Sequence, residues 1–524
     1  MRSLLGGCLV GGVLLVVAAT SEATTNPLAG LEPCEDMTDV HCGSITRLLD
    51  PTDPAGGKID IAFELHPPTD SESPIGTIVA VEGGPGYSTT ASRDYFIELF
   101  APLLDRWQLL LVDNRGTGGS APIDCPQLQA YQGDYLHDVR LCGRQLGSTS
   151  DVWGSALAAD DLVAVLDHLG LERVDLYGVS YGTFFGQVFA VRHPERLRTL
   201  VLDSAFNIDQ DPWYRDLNRA LVDAFRRVCE RDSGCAAIGG DPIERLREVA
   251  DSLAAEPLTG KGYDADGLLQ PVFLDSPGLS YLAGLATYGV PIYRELDAAG
   301  RAYLEGDSIP LLRIAAEQFS TAAGGPVEEY SEALYVAVSC NDYPQLWDIN
   351  SRVSARPAQY REALADLRAE DADAFYPFTI DEWLQSPWTA YLACLGWPAP
   401  STWVPPVPTA HRYPKTPTLV LVGDLDSITS PEGARIVADR FPTSTYVEIA
   451  NGVHGTAISD FSRCASNLVI NFVESGGDAG DRDCAGTYTE IRVVEHFPRR
   501  LADVIATAGT GNGSRGRIVT AATH

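Results

Sequence analysis

Arg173-Val174-Asp175-Leu176-Tyr177-Gly178-Val179-Ser180-Tyr181-Gly182 decides the fold of this 524-residue chain. Arg173 to Tyr177 reads as a short strand entering Gly178. Tyr181 to Arg192 then carries helical spacing and stops at His193-Pro194. The turn between them fits Gly-x-Ser-x-Gly. A chain this rich in glycine and serine would show the pattern by chance in roughly a third of cases, so the setting matters more than the pattern. Here the setting is strand, sharp turn, helix, which presents a serine hydroxyl at the carboxyl end of a parallel sheet. The glycines flank a turn whose neighbours have no room for side chains.

The pattern continues on both sides. Ile59 to Leu65, Gly76 to Val81, Trp107 to Val112 and Leu197 to Leu202 read as strands, and Ala156 to Leu169 as an amphipathic helix. Alternation of strands and helices predicts an α/β fold with a mostly parallel, doubly wound sheet. From 206 to 412 the pattern turns helical, as in Trp213 to Arg231, Pro242 to Ala254 and Gln359 to Ala372, with a Trp- and Pro-rich stretch from Tyr376 to Trp403. Alternation resumes with strands Thr418 to Val422 and Thr445 to Ile449 and helices Glu432 to Phe441 and Cys464 to Glu474. The reading is one layered domain, 24–205 and 413–500, interrupted by a large helical cap at 206–412 before the acid-bearing strand. A weakly ordered tail is expected at 501–524.

A serine hydroxyl needs a histidine base, and the base needs an orienting acid. With this topology the chain order is serine, acid, histidine. Of the nine histidines, five follow Ser180. His193 ends the serine's own helix, His411 opens a strand at its wrong end, His496 lies beyond the last strand–helix pair, and His524 is the terminus. His454, in Asn451-Gly452-Val453-His454-Gly455, directly follows a strand and is the expected base. The acid should follow the preceding strand, where Gly423-Asp424-Leu425-Asp426-Ser427-Ile428-Thr429 offers two aspartates. Asp426 lies further past the strand end and is preferred over Asp424, which then reads as a turn or cap carboxylate. An oxyanion hole is expected from the backbone N–H groups of Tyr181 and of Gly84, in Glu82-Gly83-Gly84-Pro85-Gly86. Pro85 has no N–H to offer.

The first residues set the compartment. Arg2, an apolar run to Thr20 and small residues up to Ala23 read as a secretory signal peptide, 1–23. A retained anchor is the alternative, since the run is marginal for a ~20-residue span. The chain has 11 cysteines. Without Cys8 they are even in number and fall in sequence-local pairs: Cys34/Cys42, Cys125/Cys142, Cys229/Cys235, Cys340/Cys394 and Cys464/Cys484. Export makes disulfides the expectation, with connectivity left open by sequence alone. No cysteine or histidine spacing suits zinc, so neither metal nor organic cofactor is expected. With 38 basic and 71 acidic residues the formal charge is −33. That excludes general nucleic-acid binding and disfavours anionic membrane surfaces. A secreted or cell-envelope monomer, without stable membrane association after signal cleavage, is expected.

Gly83-Gly84-Pro85-Gly86, Asp113-Asn114-Arg115-Gly116-Thr117-Gly118, the serine elbow, Gly423 to Thr429 and His454-Gly455 resemble the prolyl iminopeptidase and tripeptidyl aminopeptidase branch of the α/β-hydrolases. Cys340-Asn341-Asp342 and Cys394 with Trp397-Pro398 look like secreted actinobacterial tripeptidyl-aminopeptidase-like proteins, in which these cysteines would tie the cap together. The resemblance spans about 58 to 500. It departs at Glu82, where prolyl iminopeptidases usually have histidine, at Asn114, which replaces the commoner glutamine, and at Ser430, which separates Thr429 from Pro431. It implies an α/β-hydrolase fold and hydrolysis of short peptides from a free N-terminus. A substrate ammonium needs carboxylates on the cap side of the pocket. Glu82, Glu328, Glu329 and Asp342 are the candidates, and Arg115 reads as an ion-pair partner within its own turn. A carboxylesterase or lipase-like hydrolase would use the same triad on a small ester, and a non-catalytic binding protein would have lost a triad member.

Overall fold

The computed structural model describes residues 31–497 apart from 36, 71–72, 132, 320–324, 387–389 and 461. The expected signal segment, Cys8 and the 501–524 tail lie outside the described residues. In chain order the strands are β1 (Glu32–Cys34), β2 (Met37–Leu48), β3 (Lys58–His66), β4 (Gly76–Val81), β5 (Trp107–Val112), β6 (Val174–Val179), β7 (Leu197–Asp203), β8 (Leu258–Tyr263), β9 (Leu269–Leu274), β10 (Thr418–Gly423) and β11 (Ser444–Ile449). Nine of them form one sheet in the order β1-β2-β3-β5-β4-β6-β7-β10-β11. From β5 to β11 neighbours run parallel, while β1, β2 and β3 join antiparallel.

Every residue of β5, β6 and β10 is buried, because a parallel sheet is covered on both faces. On one face Val79, Leu110, Leu176, Leu200 and Val420 pack against Leu157 and Leu166 of helix Ser155–Leu169 and Phe184 of helix Tyr181–Arg192. On the other, Ile78, Leu109, Tyr177, Val201 and Leu419 meet Phe96 and Phe100 of helix Arg93–Phe100 and Leu468 of helix Cys464–Ser475. Strand β4 sits between β5 and β6, so the chain reverses its direction of travel across the sheet there. The loops leaving β4 and β6 therefore emerge side by side, where open α/β sheets place their sites.

Two expectations change. The N-terminal hairpin of β1 and β2 was not read from the sequence, because β2 (MTDVHCGSITRL) mixes polar and small residues without a clean apolar face. The block between the neighbouring strands β7 and β10 is also not a uniform helical cap. Its first part, with helices Arg215–Arg231, Pro242–Ala255 and Val290–Leu304, builds a core of its own around Leu221, Phe225, Leu246, Leu282 and Leu296. The β8–β9 hairpin lies on it, with a Gly262 Cβ position only 2.2 Å from the Leu312 carbonyl oxygen. Its second part turns back. Leu334, Val336 and Val338 of helix Glu332–Asp342, with Trp397, pack into the main core beneath the sheet. The end of the described chain also leaves the sheet domain for the cap, where Val493 N–H donates to Asp232 Oδ2 and Val494 N–H to the Arg294 carbonyl.

Disulfides join Cys34 to Cys42, Cys125 to Cys142, Cys229 to Cys235, Cys340 to Cys394 and Cys464 to Cys484. Cys340–Cys394 holds the second part of the inserted block to itself, 54 residues apart in sequence. Among the described residues no helix is long and apolar enough to cross a membrane.

Candidate active site

Ser180 stands between β6 and its helix with φ +55°, in the left-handed region that a side chain rarely adopts. The neighbouring glycines leave no space. A Cβ on Gly178 would lie 2.1 Å from the Gly182 carbonyl oxygen, and one on Gly182 would lie 2.3 Å from that of Val81. The strain at one residue is thus enforced by backbone packing around it, as in other strained functional turns. Ser180 N–H donates to the Asp203 carbonyl at the end of β7 (3.0 Å).

The loop after β4 packs directly on this turn, where a Cβ on Gly83 would come 2.9 Å from Ser180 Cβ. Gly83 N–H is taken by Glu82 Oε1 at 3.0 Å. Gly84 follows at φ +106°, and Tyr181 opens the first turn of the helix after Ser180. Tyr181 is fixed by its hydroxyl, 2.8 Å from Ser155 Oγ. Asp113, at the end of β5, holds the far side of the loop: its carboxylate accepts from Ser88 Oγ, Thr90 N–H, Thr90 Oγ1 and Gly119 N–H.

Asp426 and His454 come together on consecutive loops after β10 and β11. His454 Nδ1 lies 2.9 Å from Asp426 Oδ2. Asp426 also accepts from Thr429 Oγ1 (2.7 Å) and from the N–H groups of Ile428 and Thr429. Burial opposes charge on both groups, yet mutual attraction and hydrogen bonding prevail. Asp426 is held below the usual carboxylate range, and His454 is raised above its ordinary 6.5 with help from Asp426, Asp203 and Glu82. The histidine loop lies against the serine's strand: a Cβ on Gly455 would be 3.7 Å from Val179 Cγ2.

One dipeptide joins these loops. The Asp203 carboxylate accepts from Ala457 N–H (2.9 Å) and the Tyr177 hydroxyl (2.6 Å). Ser204 Oγ accepts from Gly455 N–H at 2.8 Å, and Ser204 N–H donates to the Leu421 carbonyl of β10. Desolvation pushes Asp203 up to about 6. Sequence reading missed this pair, since Asp203-Ser204 looks like an ordinary strand end.

The remaining candidates separate. Asp424 faces away from His454. It accepts Asn451 N–H (2.8 Å) and pairs with Arg231 of the cap at 2.6 Å. Glu82 adjoins the site, and burial raises its pKa. Glu328 and Glu329 are both exposed, and the Glu329 carbonyl accepts Ser88 N–H of the loop after β4. The expectation for Asp342 is corrected. This carboxylate is buried and engaged by Ser155 N–H, Ser155 Oγ and Trp403 Nε1, at the start of helix Ser155–Leu169, so it serves that helix end and not a substrate amine. Arg115 pairs not within its turn but with Asp161, at 2.7 Å and 46 residues away. Another buried carboxylate that went unread is Glu332. It accepts from the hydroxyls of Tyr131 and Tyr135, and burial pushes it up to about 7. Its neighbour Ser331 donates its N–H to the Gly86 carbonyl of the loop after β4. Only the flanking Glu-Glu-Tyr-Ser sequence could have drawn attention to it. Among the described residues no group of three or more His, Cys, Asp or Glu side chains could hold a metal ion.

Residues 76–240 match the family model of the alpha/beta hydrolase fold, and residues 381–484 that of the TAP-like proteins. A tripeptidyl aminopeptidase of Streptomyces coelicolor is 26% identical over 474 residues, covering 85% of this chain and 83% of the relative. Serine protease Hip1 of Mycobacterium tuberculosis is 27% identical over 471 residues, covering 83% and 85%. A solved thermophilic esterase from Thermogutta terrifontis superposes with TM-score 0.35 at 18% identity, covering 83% of this chain and 99% of its own. With a parallel sheet, a strained serine turn and two family models on its two halves, the chain belongs to the TAP-like branch of the α/β-hydrolases and is a serine hydrolase.

Proposed function

We propose that this protein is a secreted exopeptidase that releases short peptides or amino acids from free peptide N-termini. Ser180 is the nucleophile, His454 the general base and Asp426 the orienting acid. The observation that carries the reading is the buried His454–Asp426 hydrogen bond of 2.9 Å, on loops packed against the strained Ser180 turn. Ser180 attacks the substrate carbonyl while His454 takes its proton. Asp426 fixes the imidazole tautomer and stabilises the imidazolium. The N–H groups of Gly84 and Tyr181 receive the developing oxyanion. His454 then protonates the leaving amine, and water repeats the cycle on the acyl-enzyme.

The substrate class draws support from relatives named tripeptidyl aminopeptidase and serine protease. Of the four carboxylates read from the sequence, Glu82 stays in the proposal for the substrate ammonium, being buried and adjoining the serine turn. Export draws support from five disulfides, which persist in oxidising compartments. The test is parallel assay of free and N-acetylated tripeptidyl anilides against nitrophenyl esters. Turnover of the free anilide, lost by at least about 100-fold on acetylation, is expected. Turnover of esters alone would overturn the peptidase reading in favour of a carboxylesterase.

A further inference from the structure

The acid and the base do not rest on the sheet alone. A short helical turn of the cap, Leu285–Tyr288, reaches both. Thr287 is fully buried. Its carbonyl accepts the N–H of His454 at 2.9 Å. Its hydroxyl accepts Ser427 N–H at 3.0 Å, and its own proton is then free to go to Asp426 Oδ1, 3.3 Å away. The next residue, Tyr288, sets its ring perpendicular to the His454 imidazole with centroids 5.5 Å apart. One cap residue therefore touches the carboxylate, the backbone beside it and the backbone of the histidine.

We infer that Thr287 is a positioning residue of the cap, which makes the competence of the Asp426–His454 pair depend on the cap being seated. Asp426 Oδ2 takes the imidazole and Thr429, while Oδ1 takes two backbone N–H groups and the Thr287 hydroxyl. Loss of the Thr287 bonds removes one brace from the carboxylate and one from the histidine loop together, because both are held in part by the same residue. A second cap segment grips the other half of the site: Ser331 N–H donates to the Gly86 carbonyl and Ser88 N–H to that of Glu329. The cap is thus part of the frame of the site on both sides. Other cap–loop bonds do not reach the carboxylate. The Tyr293 hydroxyl donates to the Leu425 carbonyl at 2.8 Å, on the backbone one residue before Asp426 and not on its carboxylate.

The inference rests on Asp426 and His454 being the acid and the base. The experiment compares Thr287→Val, Thr287→Ser, Tyr293→Phe and Asp426→Asn in the full chain, on a tripeptidyl anilide and a small nitrophenyl ester. Thr287→Val keeps shape and loses the hydroxyl, and kcat should fall about 10- to 100-fold on both substrates with KM changed less than about threefold. Thr287→Ser should recover kcat to within about threefold, and Tyr293→Phe should cost less than that. An unchanged kcat in Thr287→Val, or an equal fall in Tyr293→Phe, overturns the inference. If Thr287→Val does not fold, Thr287→Ala against Thr287→Ser gives the same comparison. An unchanged kcat in Asp426→Asn would instead remove the reading of the triad itself.

Discussion

The two halves of the site are held by different means. The serine half, Glu82 to Gly86 with Gly178 to Gly182, is fixed by contacts of backbone on backbone. There a single added methyl group would collide at 2.1 to 2.3 Å. The acid–base half, Gly423 to Thr429 with Asn451 to Ala457, has one such contact, where a Cβ on Gly423 would lie 2.2 Å from the Gly452 carbonyl oxygen, and is otherwise fixed by side chains that arrive from elsewhere. Thr287, Arg227 and Arg231 come from the cap, and Asp203 and Ser204 from the end of β7 and the residue after it. Steric exclusion writes glycines into the local sequence. Remote hydrogen bonding writes nothing local at all.

This contrast can be broken or sharpened by substitution. Ser180→Ala is expected to abolish both hydrolysis and labelling by a fluorophosphonate probe, a loss on the order of 10⁶-fold in kcat. Labelling that survives would sink the assignment of the nucleophile. Asp426→Asn should cost on the order of 10⁴ in kcat, through the wrong imidazole tautomer, with folding largely kept. Gly182→Ala should act differently, through the collision with the Val81 carbonyl. Thermal unfolding should show about 1–3 kcal/mol of lost stability, accompanied by loss of activity. A stable and active Gly182→Ala would show that the serine half is less rigid than its packing implies. Asp424→Asn is the paired control for Asp426. It keeps an acceptor for Asn451 N–H and loses the partner of Arg231, so stability should fall by about 1–3 kcal/mol while kcat changes less than about tenfold.

The pH profile separates the halves most finely. In the proposed mechanism hydrolysis needs a neutral His454, whose pKa is raised above 6.5 because Asp426, Asp203 and Glu82 favour its charged form against burial. Activity should therefore rise with pH through an apparent pKa above that value and be lost as pH falls below it. Asp426→Asn removes the leading stabiliser of the imidazolium, so its residual activity should titrate at lower pH. A residual activity that titrates higher would mean that another group governs the limb.

The same division explains what could be read in advance. The elbow was legible because Gly178 and Gly182 are demanded by carbonyl oxygens four and more residues away. The pairing of Asp426 with His454 was legible because strand endings and loop order confine the choice. The substrate carboxylates were not. Whether Asp342 meets a ligand or the N–H of Ser155 depends on a partner 187 residues distant. Glu328 and Glu329 lie exposed in a turn, while Glu332 is buried as the first residue of helix Glu332–Asp342. Arg115 was rightly read as an ion-pair residue, but its partner Asp161 lies outside its turn, on helix Ser155–Leu169. The β8–β9 hairpin escaped because Leu258 to Leu274 is short, half-exposed and set in a helical context.

Asp203 and Ser204 have a consequence in time. The contact of Ser204 with Gly455 spans 251 residues of chain, and that of Asp203 with Ala457 spans 254. A chain emerging from its amino end completes the elbow at 180 long before it supplies the residues that this dipeptide waits to bind. Contacts of such separation form late, since loop closure must precede them. The Ser180 turn therefore exists without the His454 loop for about half of synthesis, and the proposed triad is complete only after the last strand joins the sheet.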